Sequence, residues 1–284
     1  MKLLFLGTAA SEGFPNAFCD CQNCIGARAL GGPSLRRRSS ALIDNDLLID
    51  LGPDLMASAL AHGISLAGIN YCLQTHEHDD HVDPINFVCR SEYCGVYGNP
   101  RLHYFASKGA LNKIAGRLGR RTANGLPDIE AEERLNLTTH IVEPFTTFDV
   151  GPYRVTSVRA AHDPDHVVAM LYVIQRDGRT LFYATDTGEI PEESWQALKS
   201  SSFRFDVVAM DHTFGFQGRA NGHMNAEQFL EQVERMRAEG WLNEGARVYA
   251  HHIAHHSHPP HPELVEFARG RGYDVAHDGL VVQI

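Results

Sequence analysis

The stretch THEHDDH, residues 75–81, concentrates metal-binding side chains directly after the apolar segment INYCLQ. Imidazole suits zinc, manganese and iron, and a carboxylate adds negative charge and hard oxygen donors. In a tight loop, His76 and His78 can face one metal ion while Asp80 and His81 face a neighbouring one. The spacing therefore predicts a site for two metal ions at the end of a strand.

Metal-binding residue types also follow other apolar segments that are typical of strands. These are His162 after YRVTSVRAA, Asp186 after RTLFYAT, Asp211 after FDVVAM and His252 after ARVYAH. Loops that leave a rigid sheet commonly carry functional residues. We therefore expect these side chains to meet the THEHDDH segment at one edge of a sheet.

Three of the six cysteines, Cys19, Cys21 and Cys24, lie within CDCQNC. Thiolates at this spacing are good zinc ligands and lack only a fourth ligand for a tetrahedral site. The remaining three lie in apolar segments and are predicted to be buried thiols; they are Cys72, Cys89 and Cys94. The opening MKLLFLGTAASEGF is too short and too poorly flanked for a signal peptide, so we expect a cytoplasmic location without disulfides.

The segment HEHDDH resembles the His-x-His-x-Asp-His signature of the metallo-β-lactamase superfamily of dinuclear metallohydrolases. The resemblance covers nearly the whole chain and implies an α/β fold, the four-layer αββα sandwich. It also implies a ligand set for each metal ion: His76, His78 and His162 for the first, Asp80, His81 and His252 for the second, and Asp186 bridging both. Two neighbouring histidines, His166 and His251, are alternatives to His162 and His252, whose offset from the strand ends fits the family better.

Within the superfamily, CDCQNC is similar to a segment of the phosphonate-degradation phosphodiesterase that opens cyclic ribose phosphates. This resemblance implies that His255 completes a structural zinc site with the three cysteines. It also implies that His223, in NGHMNAE, donates a proton to the leaving group without binding a metal. The opening GTAASEGFPNAFCDCQNC also resembles the accessory protein of pyrroloquinoline quinone biosynthesis. A glutamate at position 78, which would indicate iron–oxygen chemistry, is absent.

These resemblances predict a dinuclear metal-dependent phosphodiesterase that hydrolyses a small cyclic or diester phosphate, such as a ribose cyclic phosphate. Attack by a metal-bound hydroxide would involve Asp80, and His223 would supply the leaving-group proton. The expected cofactors are two zinc or manganese ions and one structural zinc. The alternatives are an iron oxygenase or accessory protein of the pyrroloquinoline quinone type, a transfer-RNA 3′-end nuclease, and a non-catalytic metal-storage protein.

Composition limits the partners that we expect. The formal charge of −10 argues against sequence-independent binding to nucleic acid, which requires a positive surface. No segment approaches the roughly 18 apolar residues that cross a bilayer. We therefore expect a small-molecule phosphodiester as the partner, and neither a membrane nor nucleic acid. The sequence is compatible with a homodimer.

The 284 residues are predicted to form one domain, with a helical insertion or lid near residues 95–135. Asn45 and Asp46 suit a hairpin turn, and Gly63 suits the end of a helix. Asn225 is expected to cap a helix. Several residues are secondary candidates: Gly7 and Thr8 at the floor of the site, and Asp79, Asp211 and His212 beside the metals. Lys113, Arg117, Arg120 and Arg121 are expected to form a solvated basic face, with contact to a phosphate as the alternative.

Overall fold

The computed structural model describes residues 1–284 and contains two seven-stranded sheets. The strands of the first sheet are β1 Lys2–Gly7, β2 Ser40–Ile43, β3 Leu47–Ile49, β4 Tyr71–Leu73, β5 Leu102–Ala106, β6 Leu137–Ile141 and β14 Val281–Gln283. Those of the second are β7 Thr147–Val150, β8 Tyr153–Arg159, β9 Met170–Arg176, β10 Arg179–Ala184, β11 Phe205–Asp211, β12 Leu242–His251 and β13 Asp274–Val275. Their orders are β14-β1-β2-β3-β4-β5-β6 and β13-β12-β11-β10-β9-β8-β7.

Eight α-helices and three short 3₁₀ helices connect the strands. The α-helices are α1 Gln22–Leu30, α2 Leu55–His62, α3 Ile85–Cys89, α4 Lys108–Leu118, α5 Ile129–Leu135, α6 Glu192–Ser200, α7 Ala226–Ala238 and α8 His261–Ala268. The 3₁₀ helices are Gly32–Ser34, Glu92–Cys94 and Gly119–Thr122. Each of these helices is too short to cross a lipid bilayer.

Three apolar cores hold the layers together. Phe5, Tyr172 and Val207 belong to the core between the two sheets, because alternate side chains of each strand face the opposite sheet. A second core joins the first sheet to helices α2–α5, and a third joins the second sheet to helices α1 and α6–α8. The predicted four-layer αββα sandwich is confirmed.

Strand direction brings the polar loops to one edge of the sandwich. Strands β3 to β6 are parallel, as are β10 to β13, so their carboxyl ends point the same way within each sheet. Strand β8 shares the direction of β10, because both pair antiparallel with β9. The loops after β4, β8, β10, β11 and β12 carry the metal-binding residue types of the sequence.

The stretch 95–135 differs from the predicted helical insertion or lid. It supplies β5, an inner strand of the first sheet, between β4 and β6. Helix α4 then packs on that sheet through the buried Ala110, Leu111 and Ile114. Among the charged residues that suggested a lid, Lys113 and Arg117 lie on α4 away from its buried residues, and Arg120 and Arg121 lie in the following 3₁₀ helix.

The local sequence signals have mixed outcomes. Gly63 ends α2 in a left-handed conformation, and Asn225 forms a capping box with Gln228 at the start of α7, as predicted. The β2–β3 turn is centred one residue earlier than predicted, since Asp44 and Asn45 have the positive φ angles. Cys72 is buried as predicted, whereas the prediction for Cys89 and Cys94 is wrong, because both are exposed.

Candidate dinuclear metal site

The loop after β4 folds so that its histidines face the second half of the sandwich. His76 and His81 are buried, and His78 is partly exposed. The loop packs closely on the segment after β3, where a Cβ at Gly52 would lie 2.9 Å from the carbonyl oxygen of Asp80. Glycine at this position therefore permits the close approach that positions the loop.

Three of the predicted ligands form a first group. The ring centroids of His76 and His78 lie 4.6 Å apart, and each lies 4.9 Å from that of His162. His162 Nε2 is 3.0 Å from His78 Nδ1. One nitrogen from each imidazole lies within 4.8 Å of the others, a spacing that suits a single ion.

Four buried residues form a second group beside the first. His81 Nε2 and His252 Nε2 lie 3.0 Å and 3.2 Å from Asp186 Oδ2, and His81 Nε2 lies 3.3 Å from Asp80 Oδ2. The other oxygen of Asp186, Oδ1, lies 3.9 Å from His162 Nε2 of the first group. Asp186 therefore stands between the two groups, the position that the sequence resemblance implied for it.

Hydrogen bonds at Nδ1 leave Nε2 of four imidazoles directed at the centre of the site. His81 Nδ1 lies 2.7 Å from Asp50 Oδ2, and His162 Nδ1 lies 3.0 Å from the Gly222 carbonyl oxygen. His76 Nδ1 lies 3.0 Å from Thr75 Oγ1, and His252 Nδ1 lies 2.8 Å from Thr213 Oγ1. Thr75 and Thr213 in turn contact the buried carboxylates of Asp50 and Asp211. Partners of this kind fix the orientation and tautomer of metal-binding histidines.

The residues present fit a pair of divalent cations. His76, His81 and His252 each have a buried Nε2 atom without a hydrogen-bond partner. Such an atom is costly inside a protein unless another species completes its coordination. Burial lowers the pKa of His76 well below its usual range, which keeps this imidazole in the neutral form that binds metals. The neighbouring carboxylates supply the opposing negative charge.

His223 lies against both groups and belongs to neither predicted ligand set, although one of its ring nitrogens lies within 4.8 Å of ligand atoms of His162 and Asp186. Its ring stacks on His252 at 5.5 Å and lies 4.7 Å from the ring of His162. His223 Nδ1 is 2.8 Å from Asp211 Oδ2. Burial alone would lower the pKa of His223, but the Asp211 carboxylate outweighs it and raises this pKa to about 9. The Asp211 carboxylate therefore favours the protonated form of this imidazole.

The rival histidines lie elsewhere. His166 is exposed and pairs with Asp163 at 2.7 Å, while His251 points into the core between the sheets, 5.2 Å from the ring of Phe5. His212, predicted to lie beside the metals, turns away from them, and its Nδ1 lies 2.9 Å from His258 Nε2. The alternatives to His162 and His252 are therefore not part of either group.

The remaining secondary candidates contact residues other than the ligand histidines. Asp79 pairs with Lys113 and Arg117, both at 2.7 Å, and contacts no ligand histidine. Arg120 is exposed, and Arg121 lies over the ring of Tyr93. Thr8 supports the loop that carries His252, because its carbonyl oxygen accepts the Ile253 N–H at 2.9 Å.

A separate thiolate group lies at the start of α1. Cys21 Sγ and Cys24 Sγ are 3.8 Å and 3.3 Å from His255 Nδ1, and Cys19 completes a set of four ligand atoms within 4.8 Å of one another. The hydrogen bond with His255 lowers the pKa of Cys21 to about 6, whereas burial raises the pKa of Cys24 to about 12. Three sulfurs and one imidazole nitrogen match the donor set of a structural zinc site.

If this group binds zinc, Cys21→Ser should be destabilising. A serine hydroxyl is a poor zinc ligand, so we expect the loss of about one zinc per chain and a melting temperature lower by roughly 10 °C. Metal analysis and thermal unfolding measure both effects. Cys94→Ser, at an exposed thiol outside the group, is the matched control. Unchanged zinc content in Cys21→Ser would contradict the assignment.

Comparison with known proteins identifies the family of the chain. Residues 45–253 match the family model described as a beta-lactamase superfamily domain. The chain belongs to the beta-lactamase superfamily. Its general class is therefore that of a metal-dependent hydrolase. A curated relative, an octanoyltransferase of Porphyromonas gingivalis, is 26% identical over 96% of this chain, which spans only 50% of that protein's length.

Two solved structures of the superfamily align over nearly the entire chain. A new diphosphatase from the PhnP family has a TM-score of 0.74 and 22% identity, covering 99% of this chain and 96% of its own. Zinc-bound PqqB from Methylobacterium extorquens has a TM-score of 0.74 and 21% identity, covering 100% of both chains. At these identities the likeness establishes the fold, and the chemistry must come from the site.

Sequence reasoning missed Asp50 and Thr75 as supporting residues. Asp50 Oδ1 also accepts the Thr75 backbone N–H at 2.8 Å and an amide proton of Gln74 at 2.9 Å. The available signal was the aspartate that ends the apolar strand in LLID, the same strand-end position that marked Asp211.

Proposed function

We propose that this chain is a dinuclear metal-dependent phosphodiesterase that acts on a small cyclic or diester phosphate. The observation that carries the proposal is the combination of two linked ligand groups with a separate histidine, His223, held by the buried Asp211. Displacement at phosphorus requires charge neutralisation on the phosphate and a proton for the departing alkoxide. The site has residue types for both requirements.

In this proposal each ligand group holds one ion. His76, His78 and His162 hold the first, Asp80, His81 and His252 the second, and Asp186 contacts both. When bound, zinc or manganese ions activate water at neutral pH and neutralise charge on the phosphate. Cys19, Cys21, Cys24 and His255 hold a structural zinc.

His223 supplies the leaving-group proton. Asp211 accepts the Nδ1 proton of His223, so Nε2 of the same ring faces the site and carries the proton that can be transferred. Stacking on His252 and the nearby His162 ring restrict rotation of the imidazole. The departing alkoxide takes this proton as its bond to phosphorus breaks, which avoids release of a strongly basic anion.

Metal removal and return test the proposal. The chelator-treated protein should be inactive towards bis(p-nitrophenyl) phosphate and should regain hydrolysis when Mn²⁺ or Zn²⁺ is added, because ligand groups without ions cannot activate water. Release of p-nitrophenolate measures the rate. His76→Ala, which removes one ligand of the first group, should respond weakly to added metal. Absence of turnover with every divalent metal would refute the proposal.

A second candidate is a function of the pyrroloquinoline quinone synthesis type. Its specific support is the zinc-bound PqqB structure, which covers the whole of both chains. Metal analysis after native purification and an oxygen-consumption assay separate the two functions. Iron and oxygen uptake would favour the second candidate, and zinc or manganese with diester hydrolysis would favour the first.

A further inference from the structure

A cavity of about 670 Å³ adjoins the dinuclear site on the side of His162 and His223. We call it the flank cavity and define it by the lining residues Asp163, Gly188, Glu189, Asn221, Gly222 and Gln228. Its volume is sufficient for a sugar-sized group. Neither the ligand groups nor the proposed proton transfer accounts for it.

The residues that line the flank cavity are sequence neighbours and contacts of the site residues. Asp163 follows His162 directly, and its Oδ2 atom lies 3.3 Å from His78 Nε2. Gly222 precedes His223, and its carbonyl oxygen lies 3.0 Å from His162 Nδ1. The lining therefore includes the residues directly before His223 and directly after His162, so a group in the cavity would lie next to the segments that carry these two imidazoles.

The lining of the flank cavity is acidic and polar. It includes the carboxylates of Asp163 and Glu189 and the amides of Asn221 and Gln228, and no lysine or arginine is among the lining residues. Glu189 uses Oε1 for both of its hydrogen bonds, 2.7 Å to Arg219 and 3.0 Å to Gln228. Its Oε2 atom makes neither of these bonds and can accept a hydrogen bond from a ligand.

The nearest cation offers little compensation for this negative charge. Arg219 lies 2.7 Å from Glu189, 2.8 Å from Glu231 and 3.5 Å from Glu227. One guanidinium thus faces three carboxylates. An anionic ligand in the cavity would meet net negative charge, whereas a hydroxyl-bearing ligand would meet hydrogen-bond acceptors.

We propose that the flank cavity binds the leaving alcohol and selects an uncharged, hydroxyl-bearing group over one that carries a second phosphate. The inference rests on the proposed phosphodiesterase function. In the reaction a water molecule loses one proton to solvent as its oxygen bonds to phosphorus, and the P–O bond to the alcohol breaks with its electron pair on the alcohol oxygen. That oxygen takes a proton from His223, which solvent then reprotonates. Hydroxyls of the alcohol donate to Asp163 and Glu189, and the same carboxylates repel a second phosphate.

Two cyclic ribose phosphates test the preference. They are ribose 1,2-cyclic phosphate with a free 5-hydroxyl and the same compound with a 5-phosphate. For the metal-reconstituted protein, kcat/KM should be at least about tenfold higher for the free hydroxyl. Glu189→Lys should reduce that ratio by about tenfold and Glu189→Gln by less, since lysine reverses the charge that glutamine only removes.

The matched control is Glu192→Lys, because Glu192 is exposed on α6 and does not line the cavity. Its ratio should equal that of the parent. A parent ratio of one or below, or a ratio that Glu189→Lys leaves unchanged, would overturn the inference even when hydrolysis is robust. Circular dichroism establishes that each variant is folded.

Binding of the monoester products separates this inference from the proposed function. Calorimetric titration should show tighter binding of ribose 1-phosphate than of ribose 1,5-bisphosphate. If neither cyclic diester is hydrolysed with any metal while this binding preference persists, the phosphodiesterase proposal fails and the cavity's selectivity stands. If the bisphosphate binds as tightly or more tightly, the selectivity is refuted.

Discussion

The Asp186→Asn variant is expected to keep the parent fold and to lose about a thousandfold in kcat/KM for phosphodiester hydrolysis. Asp186 Oδ2 lies 3.0 Å from His81 Nε2 and 3.2 Å from His252 Nε2, and its Oδ1 is 3.9 Å from His162 Nε2. Asparagine preserves the shape but removes the negative charge that two adjacent cations share. We expect fewer than two metal ions in the dinuclear site, measured by mass spectrometry together with bis(p-nitrophenyl) phosphate hydrolysis.

Asp177→Asn is a closely matched control. Asp177 lies in the exposed turn between β9 and β10, and its φ of 51° is almost the same as the 52° of Asp186. The two variants therefore make the same chemical change at nearly the same φ angle. Full metal content and nearly full activity in Asp186→Asn would show that this carboxylate does not bridge the ions.

The His223→Ala variant should distinguish substrates by their leaving groups. For an alkoxide leaving group, loss of the proton donor should lower kcat by about 10²–10⁴-fold. For p-nitrophenolate, a stable anion that requires no proton, the loss should be much smaller. Both metal ions should remain bound, because His223 belongs to neither proposed ligand set.

Matched alkyl and p-nitrophenyl diesters measured with the same metal supply this comparison. His103→Ala is the control, since His103 lies at the start of β5 and pairs with His140 rather than with the site. Equal losses for the two substrates would exclude proton donation by His223. Loss of metal from His223→Ala would instead assign it a direct ligand role.

The ligand residues could be predicted because their types and positions are both local features. Histidines and aspartates directly after apolar strands must lie at a sheet edge, and parallel strands place those edges together. His162 and His252 were separated from His166 and His251 only by their offset from strand ends. The structure gives the physical reason, since His166 is exposed and His251 points into the core between the sheets.

The supporting contacts could not be predicted, because they join residues that are distant in the sequence. Asp50 reaches His81, and Thr213 reaches His252, through pairings that depend on the completed sandwich. Asp211, predicted to lie beside the metals, contacts His223 directly and reaches His252 through Thr213, and neither partner could be read from the sequence. Tertiary packing also decided the exposure of Cys89 and Cys94, which lie on short helices that the apolar pattern does not resolve.

Four residues at the site adopt left-handed backbone conformations that favour glycine: Asp50, Asp163, Asp186 and His252, with φ between 39° and 65°. Each non-glycine residue held in this way stores strain of about 1–3 kcal/mol. Glycine at these positions would relieve this strain but would also remove the side chains that the proposed chemistry needs. Any stabilising design for this chain should therefore hold these four positions constant.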